Sequence, residues 1–264
     1  MLPIIFDIGP VAIRSFGLFL TLGYLLGTFF VWREGRKQGY NEEKLLDLCI
    51  LILIGSLVGA RLYFVAFNTE AFRDDFLRIF AIWSGGLSFH GSILGGLLAL
   101  YLYTKRRKWP FFQVADIVAT AATIAFVIGR IGSFLAGTEI GVETSLLFGV
   151  KFIGEIGKRH PTQLYEAALG LATFFVLRKI DKVKNKSGVT FLSAIIFIEV
   201  IRFLVEFLRA DSTYFLNFKV DQVLALLLAI SSLIALYLQR ERNLKEDFQI
   251  LTAVFNNKFL RRRS

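Results

Sequence analysis

The 264-residue chain is 55% hydrophobic, carries a formal charge of +10 and contains a single cysteine. Its apolar residues fall in seven long blocks, which leaves too little polar surface for a water-soluble helical protein. Lys and Arg are sorted by loop, which argues against a nucleic-acid partner, and the lone cysteine excludes an intramolecular disulfide.

A bilayer core needs about 20 mostly apolar residues per helix. The blocks predict seven transmembrane helices at 11–32, 46–67, 88–104, 113–135, 162–177, 188–208 and 220–239. The expected architecture is an all-α polytopic membrane domain over 1–239, with a basic amphipathic tail over 240–264. Twenty of the 31 Lys and Arg lie in the tail and in the loops after helices one, three and five; seven lie in the alternate loops. Positive residues stay inside, so the N-terminus is expected outside and the C-terminus in the cytoplasm. "KRRK" (105–108) and "RRRS" (261–264) then meet anionic headgroups on the cytoplasmic side. The opening "MLPIIFDIGP" lacks the basic n-region of a signal peptide, so helix one is expected in the mature protein.

In chain order, helix one carries Arg14 at its outer start. Helix two has Cys49 near its cytoplasmic end, read as a packed core residue, and Arg61 in its outer third. Helix three opens with "GGLSFHGSILGG", which puts His90 at its outer start. "GSLVG" (55–59) and "GSILG" (91–95) are small-xxx-small motifs that permit close helix contact. Helix four begins near Asp116, where a helix N-terminus favours an acid, and ends in "FVIGRIGSFLAG" with Arg130 and Ser133. "RHPTQLYEA" leads into helix five, with His160 and Pro161 fixing the entry and Gln163, Tyr165 and Glu166 lining it. On helix six, Glu199, Arg202, Glu206 and Arg209 follow heptad spacing, one stripe of alternating sign.

Asp116 apart, all these polar residues fall in the outer half of the membrane. An intramembrane arginine costs about 2.5–3.5 kcal/mol on insertion scales. Arg14, Arg61 and Arg130 have no acid at helical spacing on their own helices, which reads as surplus positive charge facing a wet cavity. That pattern predicts an anionic ligand, and the commonest anion at that depth is a lipid phosphate. No His, Cys or acid cluster has metal-ligand spacing, and no Gly-rich loop suits a nucleotide, so no cofactor is expected.

"IGPVAIRSFGLFLTLGYLLG", "GARLYFV", "GGLSFHGSILGG", "GRIGSFLAG", "RHPTQLYEA" and "RFLVEFLR" resemble, in order and spacing, the motifs of bacterial prolipoprotein diacylglyceryl transferases. The resemblance covers residues 8 to about 209. It implies transfer of the diacylglyceryl group of phosphatidylglycerol to the lipobox cysteine of a preprolipoprotein at the outer face of the cytoplasmic membrane. Arg130 and Arg202 match arginines expected to hold the lipid phosphate, and Glu206 is expected to orient Arg202. His90 matches a histidine suited to taking the thiol proton; the alternative is an interfacial histidine that caps helix three. Arg14, Arg61, Ser133, Gly141, Gln163 and Glu166 complete the expected substrate-binding set. Four positions depart from the pattern: Ser133 stands for Asn, Thr138 for Glu, and Phe16 and Ile198 for tyrosines. They keep open a catalytically silent lipid-binding paralogue. An anion transporter is a further alternative, and it would need charge continuing to the inner face.

Overall fold

The computed structural model describes residues 2–8, 11–73, 75–82, 85–183, 186–210, 214–215 and 218–239. The tail expected over 240–264 lies outside them. Among the described residues there are seven α-helices: α1 (Ser15–Lys37), α2 (Glu42–Phe67), α3 (Phe89–Arg107), α4 (Phe111–Ala136), α5 (Thr162–Lys182), α6 (Val189–Glu206) and α7 (Val220–Leu238). A hairpin of β1 (Ile4–Ile8) and β2 (Val11–Arg14) runs straight into α1. A second short pair, β3 (Tyr214–Phe215) and β4 (Phe218–Lys219), precedes α7.

Each predicted block overlaps one helix. The first block began too early, because residues 11–13 are apolar but belong to an extended strand: hydropathy reports transfer energy, not backbone dihedrals. Four helices, α1, α2, α4 and α7, are long and apolar enough to cross a membrane by length and composition. The other three carry the charges of the site or of the loops; α6 alone holds Glu199, Arg202 and Glu206.

Local chemistry fixes the helix ends. The Asn41 side chain accepts the Lys44 N–H at the start of α2, with Glu42 and Glu43 in the first turn. The Ser88 hydroxyl accepts the Gly91 N–H and so begins α3 where His90 is needed. Gly137, in the left-handed region at φ 71°, stops α4 just past Ser133. Asp116 was expected to serve its own helix. Instead it caps α6, accepting the N–H of Gly188 at 2.7 Å and of Phe191 at 2.8 Å.

The two small-residue motifs face each other. A Cβ at Gly59 would stand 2.7 Å from the Gly95 Cα, and one at Gly55 would stand 2.7 Å from the Gly95 carbonyl oxygen. Only hydrogen fits between α2 and α3 there. Apolar clusters fill the end of the bundle formed by the start of α2 and α4: Val31, Leu45, Cys49, Ile117 and Ala121, and beside them Leu48, Leu100, Tyr103, Val114 and Ala115. Towards the other end the interior turns polar, with Arg61, His90, Arg130, Gln163, Glu166, Glu199, Arg202 and Glu206 buried. The outer helix faces are apolar: α7 exposes Leu226, Leu227, Ile230, Leu233, Ile234 and Leu238. In water that distribution would be reversed. A helical bundle with a charged interior and an aliphatic exterior belongs in lipid.

Candidate active site

The helix termini Phe89 (α3), Thr162 (α5) and Val220 (α7) meet the C-terminal ends of α4 and α6 at the polar end of the bundle. Nine ionisable side chains form one connected series there, in which acid and base alternate. Glu199 Oε2 lies 3.6 Å from His90 Nε2, and His90 Nδ1 lies 3.1 Å from Asp221 Oδ1. Asp221 Oδ2 is 3.8 Å from Arg202 Nη2, and Arg202 Nη1 is 3.7 Å from Glu166 Oε1. Glu166 Oε2 pairs with Arg130 Nε at 3.0 Å, and Arg130 Nη1 pairs with Glu139. Arg209 Nη1 follows, 3.3 Å from Glu139, and the series ends at Glu206, 3.6 Å from Arg209 Nε.

This arrangement corrects the surplus-charge expectation for Arg130. It is flanked by Glu166 from α5 and Glu139 from the loop after α4. Spacing along one helix is blind to partners that the fold brings from elsewhere. The expected stripe of Glu199, Arg202, Glu206 and Arg209 neutralises itself only in part, through Glu206 and Arg209. Glu199 faces His90, and Glu206 pairs with Arg209 rather than orienting Arg202.

Glu139 and Asp221 were not singled out from sequence. Glu139 has a left-handed backbone, φ 59°, which is rare for a residue with a side chain. The loop is held in that shape by α5. Thr162 Oγ1 donates to the Glu139 carbonyl at 2.8 Å, and Gln163 Nε2 donates to the carbonyls of Glu139 (3.1 Å) and Thr138. Gln163 thus acts on the loop that carries Glu139. Burial alone would raise the Glu139 carboxyl, but Arg130, Arg209 and Arg202 hold it down to about 2. The carboxylate that this loop brings to Arg130 stands at Glu139, directly after Thr138.

The remaining predicted residues are placed as follows. Ser133 is buried, and its carbonyl accepts the Thr138 N–H at 3.1 Å as α4 ends. Gly141 lies where the chain after α4 crosses the entry to α5; a Cβ there would stand 3.0 Å from the Leu208 carbonyl oxygen and closer still to that of His160. His160 Nδ1 meets the Tyr165 hydroxyl at 3.1 Å, which braces the start of α5. Arg14 is exposed at the end of β2 and outside the charged series. Arg61 is buried but also outside it. Its guanidinium donates to the carbonyls of Arg78 (2.5 Å), Ile79 (2.9 Å), Gly85 (2.6 Å) and Gly86 (3.0 Å). Phe16 is exposed on the first turn of α1, and Ile198 is half-buried.

Arg202 and His90 are the incompletely hydrogen-bonded bases of the series. Arg202 is 5% exposed, yet its Nε and Nη1 have no hydrogen-bond partner among the described residues. Its Cζ sits 4.0 Å from the centre of the Phe89 ring. Arg130 lies on the other side of Glu166, with its Cζ 5.0 Å from the Phe126 ring. Two buried guanidiniums thus share one carboxylate, with donors left over for an oxyanion.

Fold and site together define a polytopic membrane protein with an enclosed acid–base site at one end of its helical bundle. The family described as prolipoprotein diacylglyceryl transferase matches residues 3–238, and the chain belongs to it. The phosphatidylglycerol–prolipoprotein diacylglyceryl transferase of Clostridioides difficile strain 630 is 33% identical over 245 residues, covering 92% of this chain and 98% of that protein. The protein of that name from Geobacter sulfurreducens is 36% identical over 212 residues, covering 78% of this chain and 82% of its own length. The one from Clostridium botulinum strain 657 is 32% identical over 245 residues.

Proposed function

We propose that this chain moves the diacylglyceryl group of phosphatidylglycerol to the lipobox cysteine thiol of a preprolipoprotein. The cysteine sulfur attacks the phosphate-bearing carbon of the diacylated glycerol. A C–S bond forms, the C–O bond to phosphate breaks, and glycerol phosphate leaves. The thiol proton must go to a base, and charge grows on the departing phosphate.

Each event has a residue suited to it. Arg130 and Arg202 bind the phosphate and offset its developing charge with preorganised donors. Glu166, between them, sets their separation, and Glu139 holds Arg130 from the loop side. His90 accepts the thiol proton. Ser133, Gly141 and Gln163 shape the wall and loop around the lipid headgroup. Arg61 acts at a distance, by holding the segment that contains Arg78, Ile79, Gly85 and Gly86. The chain crosses the membrane seven times with its N-terminus outside, so the acid–base site faces the outer leaflet of the cytoplasmic membrane. The distribution of Lys and Arg among the loops supports that orientation.

The observation that carries the reading is the Arg130–Glu166–Arg202 bridge with unused Arg202 donors. The test is purified protein in detergent with phosphatidylglycerol and a synthetic lipobox peptide, followed by mass spectrometry. The expected result is a gain of one diacylglyceryl group on the cysteine peptide and none on its Cys→Ser control. Arg130→Ala should reduce transfer by about 10²–10³-fold, the scale of losing one preorganised donor, while the protein stays inserted and folded. Transfer near the wild-type rate in that variant would sink the phosphate assignment. Lipid binding without transfer in the wild-type chain would favour the silent paralogue.

A further inference from the structure

Asp221 stands at the first turn of α7 and reaches two members of the site at once. Its Oδ1 is 3.1 Å from His90 Nδ1 and its Oδ2 is 3.8 Å from Arg202 Nη2. Its neighbours fix that placement. Lys219 Nζ donates to the Glu206 carbonyl at 2.6 Å, and Gln222 Nε2 donates to the Phe203 carbonyl at 3.4 Å. Residues before and after Asp221 therefore pin the start of α7 to the two turns of α6 that carry Arg202 and Glu206. The positive end of the α7 dipole favours a carboxylate at this position.

The His90 ring is 2% exposed, so its two nitrogens must be distinguished by the groups around them. Asp221 makes the nearer contact, at Nδ1; Glu199 stands 3.6 Å from Nε2. Both contacts are at ion-pair distance rather than aligned hydrogen bonds, and the nearer carboxylate, at Nδ1, favours the N–H on that nitrogen over Nε2. The same logic governs histidines oriented by a buried acid in nucleophilic enzymes. Asp221 also touches the guanidinium assigned to the phosphate, so one carboxylate spans the proton acceptor and the leaving-group binder.

We infer that Asp221 is a positioning residue for the transfer reaction: it fixes the tautomer and orientation of His90 and ties them to the placement of Arg202. The inference rests on the diacylglyceryl transfer proposed above. It assigns Asp221 work beyond charge balance, since a group that only neutralised Arg202 would not need to reach His90.

The test uses the full-length protein in the phosphatidylglycerol and lipobox-peptide assay, with thermal midpoints measured in the same detergent. Asp221→Asn keeps the shape and removes the charge. It is expected to lower kcat by about 10–100-fold, the usual loss for an outer partner of a functional histidine. KM for phosphatidylglycerol and the thermal midpoint should stay near wild type. Asp221→Glu restores a carboxylate and should recover at least about tenfold in kcat over Asp221→Asn. If Asp221→Asn lowers the thermal midpoint with kcat unchanged, Asp221 is a structural counter-ion and the inference is overturned. If Asp221→Asn fails to fold, an Asp221→Glu variant that folds with kcat equal to wild type supports it, and one no better than Asp221→Ala overturns it. A wild-type protein that transfers nothing would instead refute the transfer reading itself.

Discussion

Arg61 and Arg130 are both buried arginines in the polar half of the bundle, yet they are neutralised by different means. Arg61 is 5% exposed and meets no carboxylate among the described residues; backbone carbonyls of a following segment take its donors. Arg61→Ala should therefore free that segment, raise protease cleavage within 76–86 and lower stability by roughly 2–4 kcal/mol. Its effect on transfer should be smaller than that of Arg130→Ala; an equal loss would place Arg61 on the substrate. Glu139 offers a second test at this scale. With its carboxyl held down to about 2, its contribution to stability is complete above the ordinary carboxylate range and fades as the pH falls towards 2. Glu139→Gln should thus unfold at a lower temperature at pH 7, with more than half the difference gone by about pH 3. A gap of equal width at both pH values would contradict the pairing with Arg130 and Arg209. The arginines, His90 and Glu166 were legible from sequence because polar residues stand out in apolar runs. Glu139 and Asp221 were not, since each sits in a polar connection or at a helix start, where an acid is unremarkable until the fold brings it to a cation.

The helices themselves were easier to read. Long apolar blocks give the element count, and the helices extend beyond several blocks because backbone hydrogen bonding continues into headgroup depth; α1 runs on through Arg33 and Glu34 to Lys37. What hydropathy could not supply was pairing. The α2–α3 contact shows why: "GSLVG" and "GSILG" were each visible, but only the structure sets Gly55 and Gly59 against Gly91 and Gly95. The seam leaves no room for a methyl group, since backbone rather than flexible side chain lies opposite. Gly95→Ala should cost roughly 1–3 kcal/mol, the range for overpacking, and should disturb His90 through the first turns of α3. Thermal unfolding in detergent checks the first expectation and the rate of transfer the second. An unchanged midpoint would mean the two helices can separate without loss.

At the scale of the whole molecule, polar and apolar interiors are segregated along the bundle. The acid–base series occupies one end, while Val31, Leu45, Leu48, Leu100 and Val114 pack the other. The proposed orientation has its own test in reporter fusions. A fluorescent protein joined after residue 264 should fluoresce, and alkaline phosphatase joined there should stay inactive; the reverse would invert the topology. Cys49, buried beside Val31 and Leu45, belongs to the apolar end. This has a redox consequence. In the orientation proposed, a free thiol accepted at an oxidising membrane face risks being trapped as a mixed disulfide with the enzyme. With its one sulfhydryl buried at the opposite end of the bundle, this chain offers the incoming cysteine no sulfur of its own to exchange with.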